Sequence, residues 1–259
     1  MCRLAAYVGP EISLGDFLLK PTHGLMQQSW QPREMNDARL NADGYGFAWF
    51  AADNLPARFT NFMPIWSDTN LEALGRTLFS DLWLASVRSA TPGLMTGQSN
   101  TQPFIDEQLL FLHNGRISDF GTRVRPRLRQ LLAPEIEATV QGNTDSEYLF
   151  ALLRHILTQD ADLPIDESLI ELLNILEDLL GEQTALLNII VADGERIYAL
   201  RHAIRDECPS LYFTTDDDDY PEGLLVASEP LTESKFWQAV PPHHILILDP
   251  EEPAQLLSL

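Results

Sequence analysis

Lysine and cysteine are both scarce in this sequence. Its 259 residues include two lysines and two cysteines, and 17 basic side chains stand against 38 acidic ones, a formal net charge of −21. So acidic a chain is a poor partner for nucleic-acid phosphates or anionic membranes. Cys2 and Cys208 lie far apart without CxxC spacing, which excludes a disulfide framework and a zinc motif of that type. The six histidines lack metal-site spacing, so we expect no metal and no other cofactor.

Long apolar runs are also missing. No segment has the length and hydrophobicity of a membrane span, and the N-terminus lacks the pattern of a signal peptide. We therefore expect a cytoplasmic protein without a membrane partner. The sequence shows no internal repeat and no low-complexity linker, and 45% of its residues are hydrophobic, enough for a substantial core. These features predict one domain spanning residues 2–259.

The order of the predicted elements indicates the fold class. Apolar spacing at i, i+3 and i+4 predicts helices over 145–157 and 166–180, the second ending at Gly181, and a shorter helix over 71–79. Residues 14–43 lack periodicity and are expected to form a long loop that covers a site. Strands followed by helices and then by strands predict a layered α+β domain. The predicted strands are 3–8, 44–51, 58–62, 82–87, 108–113, 185–192, 197–200, 211–214, 223–227 and 244–248.

Cys2 directly follows the initiator methionine. Methionine is removed efficiently before a small residue, and its removal would leave a cysteine with a free α-amino group. An α-amino group has a pKa near 8 and a thiol a pKa near 8.5, so one residue would supply both a nucleophile and its base. Position alone does not establish this role, because a cysteine at position 2 more often has no function.

Two polar segments in the first part of the chain could contribute to a site. Residues 41–46 (NADGYG) contain two glycines, which permit a close approach of the backbone, although a plain turn is the alternative. Residues 88–93 (RSATPG) follow an apolar strand. Arg88 can hold a carboxylate with its planar guanidinium, although a surface arginine in a loop is the commoner case.

Two further segments lie in the middle of the chain. In His113-Asn114-Gly115, a side-chain amide and a backbone N–H can point at one oxygen, as an oxyanion hole requires. The alternative is a hairpin turn, for which Asn-Gly is the commonest sequence. Residues 143–147 (NTDSE) predict a capping box between Thr144 and Glu147, which leaves Asp145 in the first helical turn to meet an ammonium group.

Taken together, these segments supply the parts needed to cleave the side-chain amide of glutamine. Arg88 would hold the α-carboxylate and Asp145 the α-ammonium group. The γ-carbonyl would lie between the Cys2 sulfur and the donors of Asn114 and Gly115. Attack by the thiolate would then give a γ-glutamyl thioester that water hydrolyses.

The same segments, in the same order, resemble the class II glutamine amidotransferases, which are N-terminal-nucleophile hydrolases. The resemblance covers essentially the whole chain and implies a four-layer αββα sandwich. It also implies Cys2 as the nucleophile and Asn114 and Gly115 as the oxyanion hole. Substrate-binding positions implied by the matching motifs are Arg88, Thr91, Asp43, Gly44 and Asp145.

Three further segments, Met-Cys-Arg at the start, residues 28–34 (QSWQPRE) and residues 227–231 (ASEPL), resemble a narrower subgroup. It contains the stand-alone γ-glutamyl hydrolases of ergothioneine biosynthesis, which implies release of glutamate from γ-glutamyl-hercynylcysteine sulfoxide. A related subgroup acts with a partner in glutathione degradation. The segments 14–43 and 94–101 have no assigned counterpart, and the roles of Arg3, His113 and Glu229 stay open, with His113 favoured as a filler of the strand end.

Two other functions stay open at this level. No second domain for an acceptor reaction is evident, so ammonia could instead pass to a separate synthase from a glutaminase subunit. A non-catalytic binding module is the less favoured alternative, because none of the residues mapped onto the family pattern is missing.

Overall fold

A computed structural model describes residues 2–35, 40–89 and 97–259. In these ranges the strands pair antiparallel into two sheets. The strands are β1 Arg3–Ser13, β2 Tyr45–Phe50, β3 Pro56–Asn61, β4 Phe79–Val87, β5 Phe104–Ile105, β6 Leu110–Ile117, β7 Ala185–Ala192, β8 Ile197–Ile204, β9 Tyr212–Thr214, β10 Leu224–Ala227, β11 Gln238–Ala239, β12 His244–Asp249 and β13 Glu252–Ser258. The first sheet, sheet A, has the order β11-β9-β10-β1-β4-β2-β3, and sheet B has the order β13-β12-β8-β7-β6-β5.

The α-helices fall into two groups along the chain. They are α1 Leu14–Leu18, α2 Leu25–Gln28, α3 Leu71–Thr77, α4 Arg125–Leu131, α5 Pro134–Glu137, α6 Asp145–Gln159 and α7 Ile165–Leu180. Helix α6 begins where the Thr144 side chain accepts a hydrogen bond from the N–H of Glu147 at 3.2 Å, and α7 ends at Gly181, whose φ of +61° suits glycine.

Three apolar clusters separate four layers. Alternate side chains of the strands face opposite sides of each sheet, so one strand contributes to two clusters. Leu4 and Leu84 of sheet A meet Leu112 and Ile190 of sheet B between the sheets. On the outer side of sheet A, Tyr7 and Trp83 are among the residues that pack with α1, α2 and α3. On the outer side of sheet B, residues such as Phe111 and Val191 pack with α6 and α7. This arrangement confirms the predicted αββα sandwich.

The structure differs from one local prediction and decides one alternative that the sequence left open. Residues 14–43 contain α1 and α2, of five and four residues, which are too short to show a periodic pattern. Ser13 caps α1 by accepting from the N–H of Asp16 at 3.1 Å. His113-Asn114-Gly115 is not a hairpin turn but the interior of β6, with Asn114 opposite Asn188 and Gly115 opposite Leu187. The strand therefore carries the candidate oxyanion residues within its length.

Candidate active site

The start of β1 brings Cys2 beside the end of β4. In the register of these two strands Arg3 lies opposite Val87, at the centre of sheet A. The half-buried Cys2 thiol accordingly donates to the carbonyl oxygen of Ser89 across 3.9 Å. Cys2 thus adjoins the segment that carries Arg88, as the sequence predicted for two parts of one site.

The Asn114 side chain reaches from sheet B to the same end of β1. Its Nδ2 donates to Ser228 Oγ at 3.3 Å, and that oxygen also accepts from the N–H of Leu4 at 3.1 Å. The N–H of Ser228 in turn donates to Leu4 O at 2.9 Å. Asn114 is fully buried, and its Oδ1 has no hydrogen-bond partner among the described residues. One hydroxyl therefore links the amide of Asn114 to the backbone two residues after Cys2.

Gly115 is required by packing rather than by a turn. A Cβ atom at this position would lie 1.8 Å from the carbonyl oxygen of Leu186 and 2.5 Å from Nε2 of His113. Neither the backbone oxygen of β7 nor the buried imidazole has room to withdraw. The glycine therefore allows β6 and the His113 ring to pack together beside the site.

Arg88, Asp43 and Gly44 form one backbone-linked group. The N–H of Arg88 donates to Gly44 O at 2.8 Å, and the N–H of Asp43 donates to Arg88 O at 3.0 Å. Arg88 is buried as a residue, and its Nη1 donates to Asp43 O at 3.4 Å. Gly44 has a φ of +124°, which L side chains rarely adopt. Thr91, the fourth predicted residue of this group, lies outside the described residues.

Asp145 holds the end of β6. Its Oδ2 accepts from the N–H of Ile117 at 2.8 Å, two residues beyond Gly115, and its Oδ1 accepts from the N–H of Ser146 at 2.9 Å. The predicted capping box is half formed, because the Glu147 carboxylate accepts from the N–H groups of Gln141 and Gly142, both at 2.7 Å. Asp145 therefore lies at the predicted place, and its contact with a substrate ammonium stays a prediction.

His113 is buried next to Asn114 in β6. Its Nε2 lies 3.0 Å from Leu186 O and its Nδ1 2.9 Å from Ser146 Oγ. Burial lowers the pKa of His113, opposed by the charge of Asp145, so the ring is neutral at pH 7. The carbonyl partner requires a proton on Nε2, which leaves Nδ1 to accept from the serine hydroxyl. The sequence favoured His113 as a residue that only fills the end of the strand. The structure shows more than this, because the ring also connects β6 to α6 through Ser146.

Sequence reasoning left Glu229 without a role, and the structure places it at the centre of a buried cluster. Glu229 is 1% exposed and accepts from Arg3 Nη1 at 3.3 Å and from the N–H groups of Arg33 and Glu34 at 2.8 and 3.0 Å. His23 Nε2 lies 2.8 Å from Glu229 Oε2. Burial alone would raise the pKa of Glu229, but these donors and the Arg3 charge lower it, so it is a carboxylate.

The Glu229 cluster joins the three segments that carry the narrower resemblance. Arg3 belongs to Met-Cys-Arg, Arg33 and Glu34 to QSWQPRE, and Glu229 to ASEPL. The only signal in the sequence was the presence of these segments, because nothing local indicates that a glutamate at position 229 pairs with an arginine at position 3. The cluster fixes the loop at 29–35 against the strand that begins after Cys2.

No group of three or more metal-ligating side chains occurs in the ranges that the structure describes. Over the same ranges, no helix is long and apolar enough to cross a membrane.

Sheets packed face to face between helical layers, with a cysteine at the start of a central strand, define an N-terminal-nucleophile hydrolase fold. The model of the class II glutamine amidotransferases matches residues 24–257, and the chain belongs to this family. The predicted family and enzyme class are thereby confirmed.

Relatives of known name match nearly the whole chain. The γ-glutamyl-hercynylcysteine sulfoxide hydrolase of Mycolicibacterium smegmatis is 32% identical and covers 95% of each chain. The probable glutamine amidotransferase DUG3 of Saccharomyces cerevisiae is 31% identical over 96% of this chain and 82% of its own. Among solved structures, a class II glutamine amidotransferase domain protein of Silicibacter pomeroyi aligns over 100% of this chain and 99% of its own, with 25% identity and a TM-score of 0.70.

Proposed function

We propose that this protein hydrolyses the γ-glutamyl amide bond of γ-glutamyl-hercynylcysteine sulfoxide and releases glutamate. The observation that carries the catalytic part is the link from Asn114 through Ser228 to the N–H of Leu4, which connects a buried amide donor to the strand two residues after Cys2. The mycobacterial hydrolase, with 95% of each chain covered, supports the choice of substrate. We place the activity in one domain, residues 2–259, in the cytoplasm, without a metal, cofactor, nucleic acid or membrane.

Cys2 is the nucleophile once Met1 has been removed. The free α-amino group takes the thiol proton, and the thiolate attacks the γ-carbonyl carbon. Asn114 Nδ2–H and the Gly115 N–H donate to the tetrahedral oxyanion. As the C–N bond breaks, the leaving amine takes the proton back from the N-terminal ammonium. Water then adds to the γ-glutamyl thioester, with the N-terminal amine as base. The C–S bond breaks, glutamate is released and the Cys2 thiol is regenerated.

The glutamyl part of the substrate binds at the end of the site formed by Arg88, Asp145 and the Asp43–Gly44 backbone. The guanidinium of Arg88 pairs with the α-carboxylate, and the Asp145 carboxylate accepts from the α-ammonium group. Asp43 and Gly44 line the same end, and the family resemblance assigns Thr91 to substrate binding as well. The hydrogen bonds between Arg88 and the Asp43–Gly44 backbone support this assignment because they fix the guanidinium before the substrate arrives.

A second candidate is a glutaminase subunit that supplies ammonia to a separate synthase, or that acts with a partner on glutathione. It is supported by the yeast relative, a probable glutamine amidotransferase that aligns over 96% of this chain. The two candidates share Cys2 and the oxyanion donors and differ in the amine that leaves.

The test is glutamate release by untagged protein from which Met1 has been removed. L-glutamine and γ-glutamyl-hercynylcysteine sulfoxide are compared at equal concentrations, with the Cys2→Ala variant as the control for contaminating activity. We expect kcat/KM for the conjugate to exceed that for glutamine at least tenfold. Preference for glutamine would overturn the substrate assignment and favour the ammonia-supplying subunit.

A further inference from the structure

A cavity of about 590 Å³ is lined by residues of the strands that carry the proposed nucleophile and oxyanion donors. Arg3, which follows Cys2, and Arg116, which follows Gly115, both line it. It is also lined by Arg33 and Arg201, so four of the 17 basic side chains of a chain with net charge −21 converge here. Glu34, Asp206 and Glu207 line the cavity as well, so its charge is mixed, and its affinity for an anion depends on the individual guanidinium groups.

The strand register places Arg201 on the same face of sheet B as Asn114. Asn114 lies opposite Asn188 on β7, and Asn188 lies opposite Arg201 on β8. Directly paired residues of antiparallel strands project to the same side, and adjacent strands are about 4.8 Å apart. Arg201 therefore originates about 10 Å from Asn114, on the side of the sheet that faces Cys2.

Arg201 is held in place by neutral groups. Its Nε donates to Pro209 O at 2.7 Å, and its Nη1 donates to Val240 O. It forms no ion pair within the described ranges, whereas Arg3 pairs with Glu229 and Arg33 with Glu233. The backbone thus fixes this guanidinium at the cavity without neutralising its charge.

A second unsatisfied polar group lies between Arg201 and Asn114. Asn188 is fully buried, its Nδ2 donates to Ser210 O at 2.7 Å, and its Oδ1 has no partner among the described residues. A buried acceptor without a donor costs free energy unless a ligand supplies one. The row therefore carries, in order, the amide of Asn114, the unsatisfied oxygen of Asn188 and the cation of Arg201, of which Arg201 lines the cavity.

We propose that this cavity receives the leaving amine and that Arg201 pairs with a carboxylate on it. The inference rests on the proposed γ-glutamyl hydrolysis and adds the residue that recognises the leaving amine: Arg201 favours an amine that carries a carboxylate over one that does not. Asp206 and Glu207 also line the cavity, and both are more exposed to solvent than the half-buried Arg201. They suit a positive charge on the outer part of the same amine.

The test uses two substrates that differ by one carboxylate, γ-glutamyl-L-alanine and γ-glutamylethylamide. We expect the wild-type kcat/KM to favour γ-glutamylalanine. Arg201→Gln should lower the ratio of the two kcat/KM values by about 10- to 100-fold, the range for a lost hydrogen bond to a charged group. Arg76→Gln is the matched control and should keep the wild-type ratio. Arg76 is an exposed arginine on α3, in the helical layer outside sheet A.

Binding to the Cys2→Ala variant separates this inference from the proposed function. Dissociation constants for both compounds are measured with and without Arg201→Gln. If the wild-type protein hydrolyses neither compound while Arg201→Gln, in the Cys2→Ala background, selectively weakens the binding of γ-glutamylalanine, the carboxylate site stands and the proposed function fails. If both compounds are hydrolysed, yet Arg201→Gln changes both equally, the function stands and the assignment of Arg201 is overturned. Equal binding of both compounds, unaffected by the substitution, also overturns it.

Discussion

Asn114 and Ser228 connect the two sheets at the proposed site through a 3.3 Å hydrogen bond from Nδ2 to Oγ. Asn114 belongs to β6 of sheet B, and Ser228 follows β10 of sheet A. The same hydroxyl accepts from the N–H of Leu4 on β1. The position of the amide relative to Cys2 therefore depends on how the sheets pack, and we expect Ser228 to act as a positioning residue for Asn114.

Substitution of these two residues should reveal this dependence. Asn114→Ala should lower kcat by about 10²–10³, as expected for the loss of an oxyanion donor. Ser228→Ala leaves the amide in place without its partner and should lower kcat by about tenfold. The double variant should be no slower than Asn114→Ala alone, because Ser228 acts through Asn114. Steady-state kinetics on one γ-glutamyl substrate provide all three values.

Ser168→Ala is the matched control for this cycle. Ser168 is also fully buried, and its hydroxyl donates to Ile165 O within α7, away from the site. It should retain the wild-type kcat. Additive effects of Asn114→Ala and Ser228→Ala, or a change confined to KM, would contradict the proposed link.

The nucleophile can be identified by labelling with an electrophilic glutamine analogue. The protein has two cysteines, both half-buried and free, and burial raises the pKa of the Cys208 thiol. We expect one adduct, located at Cys2 by mass spectrometry of the digested protein. The adduct should persist in Cys208→Ala and disappear in Cys2→Ala. Labelling of Cys208, or of a protein that retains Met1, would argue against Cys2 as the activated thiol.

Gly115→Ala should destabilise the fold as well as abolish activity. The added Cβ would lie 1.8 Å from Leu186 O, so β6 and β7 must separate or the strand must shift. Overpacking of this kind costs about 1–3 kcal/mol or more, and we expect a melting temperature lower by at least several degrees.

Gly121→Ala serves as the control for Gly115→Ala, because a Cβ at Gly121 would meet nothing within 4 Å. Its melting temperature, measured by calorimetry, should stay close to the wild-type value. A Gly115→Ala protein with unchanged melting temperature would show that the strands can relax at this position.

Stability should fall as the pH is lowered from 6.5 towards 4. Burial, together with the charge of His243, lowers the pKa of His202 to about 4, and burial also lowers that of His113. An unfolded histidine titrates near 6.5. Below that pH the unfolded chain binds protons that the folded chain excludes, so unfolding becomes more favourable as pH falls.

The contribution of His202 can be isolated by His202→Gln. The difference in melting temperature between pH 7.5 and pH 5.0 should be smaller in this variant than in the wild type. An equal difference would assign the loss of stability to other groups, such as carboxylates protonated over the same interval.

Several elements of the fold could be predicted because they depend on local sequence alone. Thr144 caps α6 and Gly181 ends α7, since both depend only on neighbouring backbone groups. Strand β7 was predicted at its full length because an apolar run of eight residues buried on both faces is unambiguous. Helices α1 and α2 were missed because neither is long enough for a helical period to appear.

The sequence by itself determined the family, the layered fold and the candidate nucleophile, because these depend on the order of motifs and the period of apolar residues. Only the tertiary structure decided which distant groups meet. Glu229 binds Arg3, and Arg201 shares a row with Asn114. Such contacts join residues of different strands or sheets, and their positions follow from strand register and sheet packing. No local pattern records that geometry.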